Sequence, residues 1–555
     1  MQVLAVIIAL AAGLIMLIGR EVALIGDQWK WIFGGLHVNA GEILQDDNGH
    51  LMATTLALYD VLPLIGLDHL WVYRAVALVL HLAVALLVFY LARRRLGPWL
   101  AVVPATLVAF LGTGADAFLS GLNYNLLAAT AACLAALLAL ERRTREADFA
   151  ACALLAIGLA SFTNAVAFTA GVIVEVLWQR DRWRRLWVPL IPLALYAAWR
   201  LHWSNSADSA RGGVVDVLKH SFEAATGAFA GLAGVQLGNF TLKAHLPWLA
   251  LLAQVVLALS IVLFAWLVVR RRQTSPRFVN VIVTGVVLWL LIGLGRGSLE
   301  DLYASRYVYQ GAIVAILIIV EAASAYGIRG RAALRLVTLG VTVGVALNIG
   351  WMVVWANHLN QVSAVARGQL AALEIARGSA PPLFRPTSEF ALRHVTPRDY
   401  FKAVRKFGGS PAYTTTQLRR ASDEVREAAD RVLIRAFNLR LAASGSSVHG
   451  PSPAVERLIA GRIVNHGSCI TLSPEGARGV VDIAVRSSSG VVLRNQKRER
   501  IRIQARRFGD RYTTGIGGPP GAAESATLVT PLGRARDPWH LRVSSTAQAR
   551  ICSRR

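Results

Sequence analysis

An arginine cluster follows every second apolar run through the first two-thirds of this chain, a pattern suited to a chain threaded back and forth through a bilayer. The runs are 3–19, 70–91, 99–112, 122–140, 149–161, 165–178, 186–201, 246–269, 278–295, 307–326 and 335–355. Arg93, Arg94 and Arg95 follow the second run; Arg142, Arg143 and Arg145 follow the fourth; Arg180, Arg182, Arg184 and Arg185 follow the sixth. Arg270, Arg271, Arg272 and Arg277 follow the eighth, and Arg329, Arg331 and Arg335 the tenth. Two runs separate each cluster from the next, so every interval is a hairpin and all the clusters share one side. Positive loops are retained in the cytoplasm. That places the N-terminus inside, and puts loops 20–69, 113–121, 161–164, 202–245 and 296–306, with everything after 355, outside. Several runs fall short of the roughly 20 residues of a full span. If 149–178 formed one re-entrant element, the sidedness would stand.

Composition agrees: 55% of residues are hydrophobic and 16% charged, more apolar surface than one soluble core hides. Run 3–19 has no charged region ahead of it and no small-residue cleavage pattern before Arg20, which marks a retained helix. The expected fold is a polytopic α-helical membrane protein of about eleven transmembrane helices with a C-terminal extracytoplasmic domain. Residues 1–355 form the multi-pass part, with a first external loop 20–69 and a second 202–245. A helical extracytoplasmic segment, 356–445, and a small β-rich domain, 446–555, follow. A net charge of +25 on a soluble chain would point to nucleic acid. On the outer face it argues against that partner and suits an acidic envelope polymer, lipid phosphate or simple solubility.

Within the tail, helical patterning covers 357–377, a stretch opened by Pro397 and stopped by Gly408 and Gly409, and 416–443. Beyond 444, β-prone runs at 469–473, 480–486, 490–494, 500–508, 526–530, 539–544 and 549–552 indicate a small β-sandwich. Arg500, Arg502, Gln504 and Arg506 alternate with Ile501, Ile503 and Ala505, giving one buried and one positive face. That face is either merely solvated or a surface for anionic glycan or lipid headgroups. Cys133 and Cys152 lie in apolar runs and read as small packed residues. Cys469 and Cys552 share the oxidising side, which allows a disulfide, with two unpaired thiols as the alternative.

Phosphate-binding Gly loops, paired CxxC motifs and HExxH are missing from the sequence. No cofactor requirement and no metal-ligand set is legible, and a divalent metal stays an open question. Polar groups at membrane depth or at the outer interface are then the candidates. Asp27, in GDQWKW, closes the first helix, and LQDDNGHL adds Asp46, Asp47 and His50. A carboxylate at the lipid boundary can accept a proton from an acceptor hydroxyl, with desolvation raising its pKa toward the useful range. The bland alternatives are an interfacial helix-end carboxylate for Asp27 and N-cap roles for Asp47 and Asn48. Arg296, and Arg306 and Tyr307 in ASRYVYQ, suit a lipid-linked phosphate, which a planar guanidinium grips at two points. The alternative is a snorkelling Arg in an aromatic belt. His81, Glu175 and Glu321 fall within helices and read as interhelical hydrogen-bond partners or as groups near the cytoplasmic interface.

A first helix closed by an Asp-Trp-type motif, an acidic external loop with a His, and then YDVLPLIGLDHLWVYRAVALVLHLAVALLVFYLARRRLGPWLA together resemble the GT-C superfamily of membrane glycosyltransferases. That superfamily includes protein mannosyltransferases and arabinosyltransferases. The SRY opening a late helix is similar to a feature of many such chains. The segments DYFKAVRKFG, RRFGD and DPWHLRV, with the Cys552 ending, resemble a group of actinobacterial multi-pass proteins. The resemblance implies a protein of the bacterial plasma membrane, with membrane lipids around it, that takes a polyprenyl-phosphate-linked sugar and transfers it to a cell-envelope glycan acceptor on the outer face. Asp27, then Asp46 or Asp47, would serve as base and Arg306 would hold the donor phosphate. Two rival readings remain open. One is a flippase or exporter of envelope precursors with Arg296, Arg306 and Glu321 along its path. The other is a non-catalytic envelope protein with a glycan-binding domain.

Overall fold

The computed structural model describes residues 1–37, 41–203, 213–238, 247–271, 275–296, 303–326, 331–443, 453–485, 491–495, 501–516 and 525–553. It clusters into two compact units: Met1–Val22, His37–Leu64 and His69–Asn360 form the first, and Ala23–Leu36, Ile65–Asp68 and Gln361–Arg555 the second.

In chain order the helices are α1 (Gln2–Ile18), α2 (Asp27–Gly34), α3 (Ala53–Val61), α4 (Leu70–Leu100), α5 (Val102–Ala109), α6 (Asp116–Leu119), α7 (Tyr124–Leu140) and α8 (Arg145–Ser161). Next come α9 (Ala165–Leu177), α10 (Arg182–Arg185), α11 (Trp187–Trp203), α12 (Val214–Leu232), α13 (Pro247–Arg271), α14 (Pro276–Arg296), α15 (Ser305–Tyr326) and α16 (Arg331–Ile375). Helices α17 (Pro397–Phe407), α18 (Thr415–Arg420) and α19 (Asp423–Ala436) complete the set. Five described segments are long and apolar enough to cross a membrane: Leu70–Leu100, Gly121–Leu140, Pro276–Gly295, Ser305–Ala325 and Leu334–Ile375. The chain is thus a multi-pass membrane protein, with shorter apolar helices such as α1 and α9 beside those five.

Three local differences from the sequence reading have physical causes. Helix α4 runs past residue 91 and breaks at Gly97 (φ 81°), because Pro98 has no N–H to continue the ladder. Helix α16 passes residue 355 without a break, so 357–377 continues it rather than starting anew. Residues 202–245, expected as a loop, contain α12. Its buried face is made of small residues, among them Ala224, Gly227, Ala228 and Gly231. A Cβ on Gly227 would come within 2.8 Å of the Tyr303 ring, and one on Gly231 within 2.4 Å of Val308. Such close approach is what small residues provide between membrane helices.

In the first unit the arginine-rich ends converge. Glu141, just past α7, accepts from Arg94 (2.9 Å) and Arg95 (2.7 Å) of α4; Arg95 also reaches Glu321 of α15 at 2.7 Å. Arg277 of α14 lies 3.3 Å from Glu175 of α9 and donates to Leu137 O at 2.9 Å. Arg185 donates to Asp148 of α8 (2.9 Å) and to Leu140 O (3.1 Å).

The second unit is a two-sheet β-sandwich with helices. One antiparallel sheet has the order β3-β11-β8-β13-β6-β5 and the other β10-β9-β12-β7-β4. The strands are β3 (Leu441–Ala443), β4 (Ala454–Ala460), β5 (Arg462–His466), β6 (Cys469–Ser473), β7 (Gly479–Val485) and β8 (Val491–Asn495). The remainder are β9 (Arg502–Arg506), β10 (Thr513–Ile516), β11 (Ser525–Leu528), β12 (Trp539–Ser545) and β13 (Ala549–Ser553), while β1 (Asp46–Asp47) and β2 (His50–Leu51) form a separate hairpin. Alternation along β12 sends Trp539, Leu541 and Val543 into the core with Ile483, Ile503, Leu493 and Ile551. Asp430 of α19 ties helix to sheet by accepting from the N–H groups of Arg507 (2.8 Å), Phe508 (3.0 Å) and Gly509 (2.9 Å).

The expected positive face is more balanced than its sequence. Arg542 forms a bidentate pair with Asp482 (2.8 Å for both bonds) and lies over Tyr512, and Arg506 lies over the same ring. His540 sits 2.8 Å from Glu456. Arg500 lies outside the described residues. Cys469 and Cys552, opposite each other on β6 and β13, form a disulfide. Its sequence separation is 83, so in the chain-entropy model it stabilises this unit by about 4–5 kcal/mol. Cys469→Ser with Cys552→Ser is therefore expected to lower the midpoint of cooperative loss of β-structure by several degrees. An unchanged midpoint, read by circular dichroism on heating, would show that the bond contributes nothing.

Candidate functional site

The first acidic group is a turn. Asn48 (φ 54°) and Gly49 (φ 82°) both take left-handed conformations, as a two-residue type I′ hairpin requires. Asp46 Oδ1 accepts from the Gly49 N–H at 2.6 Å, and Asp47, buried, accepts from Asn48 Nδ2 at 3.0 Å. This corrects the N-cap alternative: α3 starts only at Ala53, with Met52 at the cap and no side-chain cap bond. The hairpin presents His50, whose Nδ1 lies 2.7 Å from Thr163 Oγ1; that oxygen lies 3.1 Å from Tyr196 OH. Arg200 donates to Gly49 O at 3.3 Å, holding α11 to the turn.

Arg306 and Tyr307 open α15. The Arg306 guanidinium is exposed and stands 5.0 Å over the Tyr307 ring. Beside it is a carboxylate that the sequence reading passed over, Asp116. The Asp116 N–H donates to Ser305 Oγ at 3.1 Å, and Asn123 Nδ2 donates to Asp116 O at 3.1 Å. The main chain thus positions the side chain. Burial pushes the Asp116 pKa up from the ordinary carboxylate value, and the nearby Arg306, with a smaller contribution from His358, holds it back.

The support beneath is rigid. Phe118 of α6 stacks on His81 at 3.9 Å, His81 Nδ1 lies 3.0 Å from Tyr309 OH, and Asn348 Oδ1 accepts from the Thr113 N–H at 3.0 Å. A Cβ on Gly112 would fall 1.6 Å from Asn348 O, so the loop passes α16 where only glycine fits. One signal for Asp116 was present in the sequence: it is the lone acid in the short loop 113–121. Arg296 is the last residue of α14; its side chain and residues 297–302 lie outside the description.

Asp27 belongs to the second unit. It starts α2 behind Gly26, whose φ is +61° and whose N–H donates to Ala391 O at 2.8 Å. Asp27 Oδ1 accepts from Arg393 and lies 3.0 Å from His394 Nε2. Arg393 Nε is 2.9 Å from that same ring nitrogen, and its guanidinium covers Phe390 at 4.9 Å. Arg393 and His394 had no sequence signal, since 366 positions separate Arg393 from its carboxylate. Among the described residues no group of three or more His, Cys, Asp or Glu side chains is arranged to hold a metal ion.

No protein-family model matches this chain, and no curated protein matches it. Among solved structures it is similar to the crystal structure of ArnT from Cupriavidus metallidurans bound to undecaprenyl phosphate. The identity is 14% and the TM-score 0.44, over 77% of this chain and 87% of that one. The site residues are assigned from their own geometry.

The seat of α2 can be checked directly. A methyl at Gly26 would lie 2.3 Å from the Phe390 ring at a backbone angle hostile to side chains. Gly26→Ala should therefore destabilise the second unit by about 1–3 kcal/mol, more than Asp27→Asn does. Equal thermal midpoints for the two variants would count against this seat.

Proposed function

We propose that the chain is a membrane transferase that moves a sugar from a polyprenyl-phosphate donor to an envelope acceptor, on the face where α15 begins. The observation that carries this reading is the place of Asp116, whose N–H donates to Ser305 Oγ next to the exposed Arg306 at the end of an apolar bundle, and whose pKa burial raises from the ordinary carboxylate value. Convergence of the arginine-rich turns at the other end of the first unit supports an outer location for this one, by the rule that positive loops stay in the cytoplasm. The GT-C-like order of the sequence supports the reaction class.

In the reaction, the acceptor hydroxyl oxygen bonds to the anomeric carbon as the bond from that carbon to the donor phosphate oxygen breaks. Asp116 takes the hydroxyl proton. The polyprenyl phosphate leaves with the bonding electrons, and Arg306 stabilises its charge. Asp46 and Asp47 hold the hairpin turn and His50 meets Thr163, so none of the three is given the proton-transfer role. Asp27, held by Arg393 and His394, keeps α2 in place rather than moving a proton.

Labelled-sugar transfer in membranes enriched in the chain tests this. Asp116→Asn should lower transfer by roughly 10²–10⁴-fold, the usual weight of a general base, at unchanged protein level. Arg306→Gln should raise KM for the donor and lower kcat. The rate should rise with pH through an acidic limb whose midpoint lies above the ordinary carboxylate range, since deprotonation makes the base competent, and Asp116→Asn should abolish that limb. Loss of transfer in Asp27→Asn alone, with Asp116→Asn active, would overturn the assignment.

A further inference from the structure

We infer that the α7–α8 and α9–α11 turns of the first unit form a binding site for the headgroup of an anionic glycerophospholipid. Arg185 fixes the two turns together. Its guanidinium is buried and engages Asp148, Gln179 Oε1 (2.8 Å) and Leu140 O, so it is spent inward. Around that anchor, Arg180, Arg182 and Arg184 of one turn and Arg142, Arg143 and Arg145 of the other are all exposed, with Asp181 and Glu146 as the exposed acids among them. The surface therefore carries an excess of fixed positive charge, and Arg185 contributes none of it.

Aromatic rings accompany the charges. Trp178 is 57% and Trp183 77% exposed, and Phe149, also exposed, packs against Trp187 at 4.8 Å. Exposed indoles beside a polar turn are characteristic of the headgroup level of a bilayer. Guanidiniums there meet lipid phosphate, in a fork geometry that accepts two oxygens. A soluble polyanion would have no use for the tryptophans. A zwitterionic lipid would bring its own cation against the arginines. An anionic glycerophospholipid satisfies both halves of the site, in whichever leaflet the turns lie.

Native mass spectrometry of the full chain, delipidated in detergent and titrated with phosphatidylglycerol or phosphatidylcholine, tests the inference. The wild-type chain should retain phosphatidylglycerol with a preference of roughly tenfold or more, given the size of arginine–headgroup attraction. Millimolar inorganic phosphate should not displace the lipid. Arg180→Gln with Arg182→Gln and Arg184→Gln should remove the preference, whereas Arg478→Gln with Arg502→Gln and Arg511→Gln, an equal loss of charge in the β-sandwich, should leave it. A thermal midpoint matching wild type confirms that the first triple variant is folded; if it is not, Trp183→Ala with Arg182→Gln replaces it. Equal retention of the two lipids by wild type, displacement by phosphate, or an undiminished preference in the turn variant would overturn the proposal.

Discussion

The organisation of the helical unit depends on a knot of buried charge. Glu141, Glu321 and Glu175 lie against Arg95 and Arg277, with Arg94 at the exposed rim, and these groups come from α4, α9, α14, α15 and the end of α7. In a low-dielectric interior, removal of one partner strands the other at about 3–5 kcal/mol, so the helix ends are held in one register. A charged group tolerates less sliding than a methyl group does, because its partner's position is fixed to within a hydrogen bond. The knot adds little to net stability over a well-packed apolar equivalent. What it supplies is alignment, and alignment decides which loops meet at the far end.

At the far end the fastening changes character. There Asn348 acts as a clamp, accepting from Thr113 and donating to Gly231 O at 3.1 Å and Gly344 O at 2.9 Å. One side chain thus joins the 113–121 loop, α12 and its own helix. Glycines at 112, 227 and 231 let the backbones close in. The result is a dense, nearly charge-free floor beneath Asp116 and Arg306, in which a carboxylate feels desolvation from below and a cation from beside.

The sequence disclosed the parts of the fold that rest on hydrophobic excess. All seven β-runs it marked correspond to strands, with ends shifted by a few residues. The four sandwich strands it passed over, β3, β4, β5 and β10, are the four sheet edges. Edge strands bury less, so alternation fades: β4 is exposed along nearly its whole length. Helix α12 escaped for a related reason. Asp216, Lys219, His220 and Glu223 break its apolar signal, while its contacts run through small residues, which hydrophobicity does not register. In sequence the DNG turn reads as helix capping rather than as a hairpin, and the positive φ values at Asn48 and Gly49 decide for the hairpin. Candidate partners joined across hundreds of residues, such as Asp27 with His394 or Asp116 with His358, leave no local mark at all.

Asp27 and Asp116 show why residue type alone underdetermines chemistry. Both stand in short polar segments beside apolar helices, and each has an Arg and a His for company. Asp27 is engaged through its carboxylate, one oxygen of which accepts from Arg393 and faces His394. Asp116 is engaged through its backbone: its N–H is given to Ser305 and its carbonyl accepts from Asn123. A carboxylate gripped by donors has its oxygens committed to holding the chain in place. One positioned by its main chain and pushed up by burial keeps its affinity for a proton. The difference follows from which atoms the fold uses to hold the residue, and it is the reason the weight of the proposed chemistry moves from the carboxylate that the sequence makes conspicuous to the one that the helices enclose.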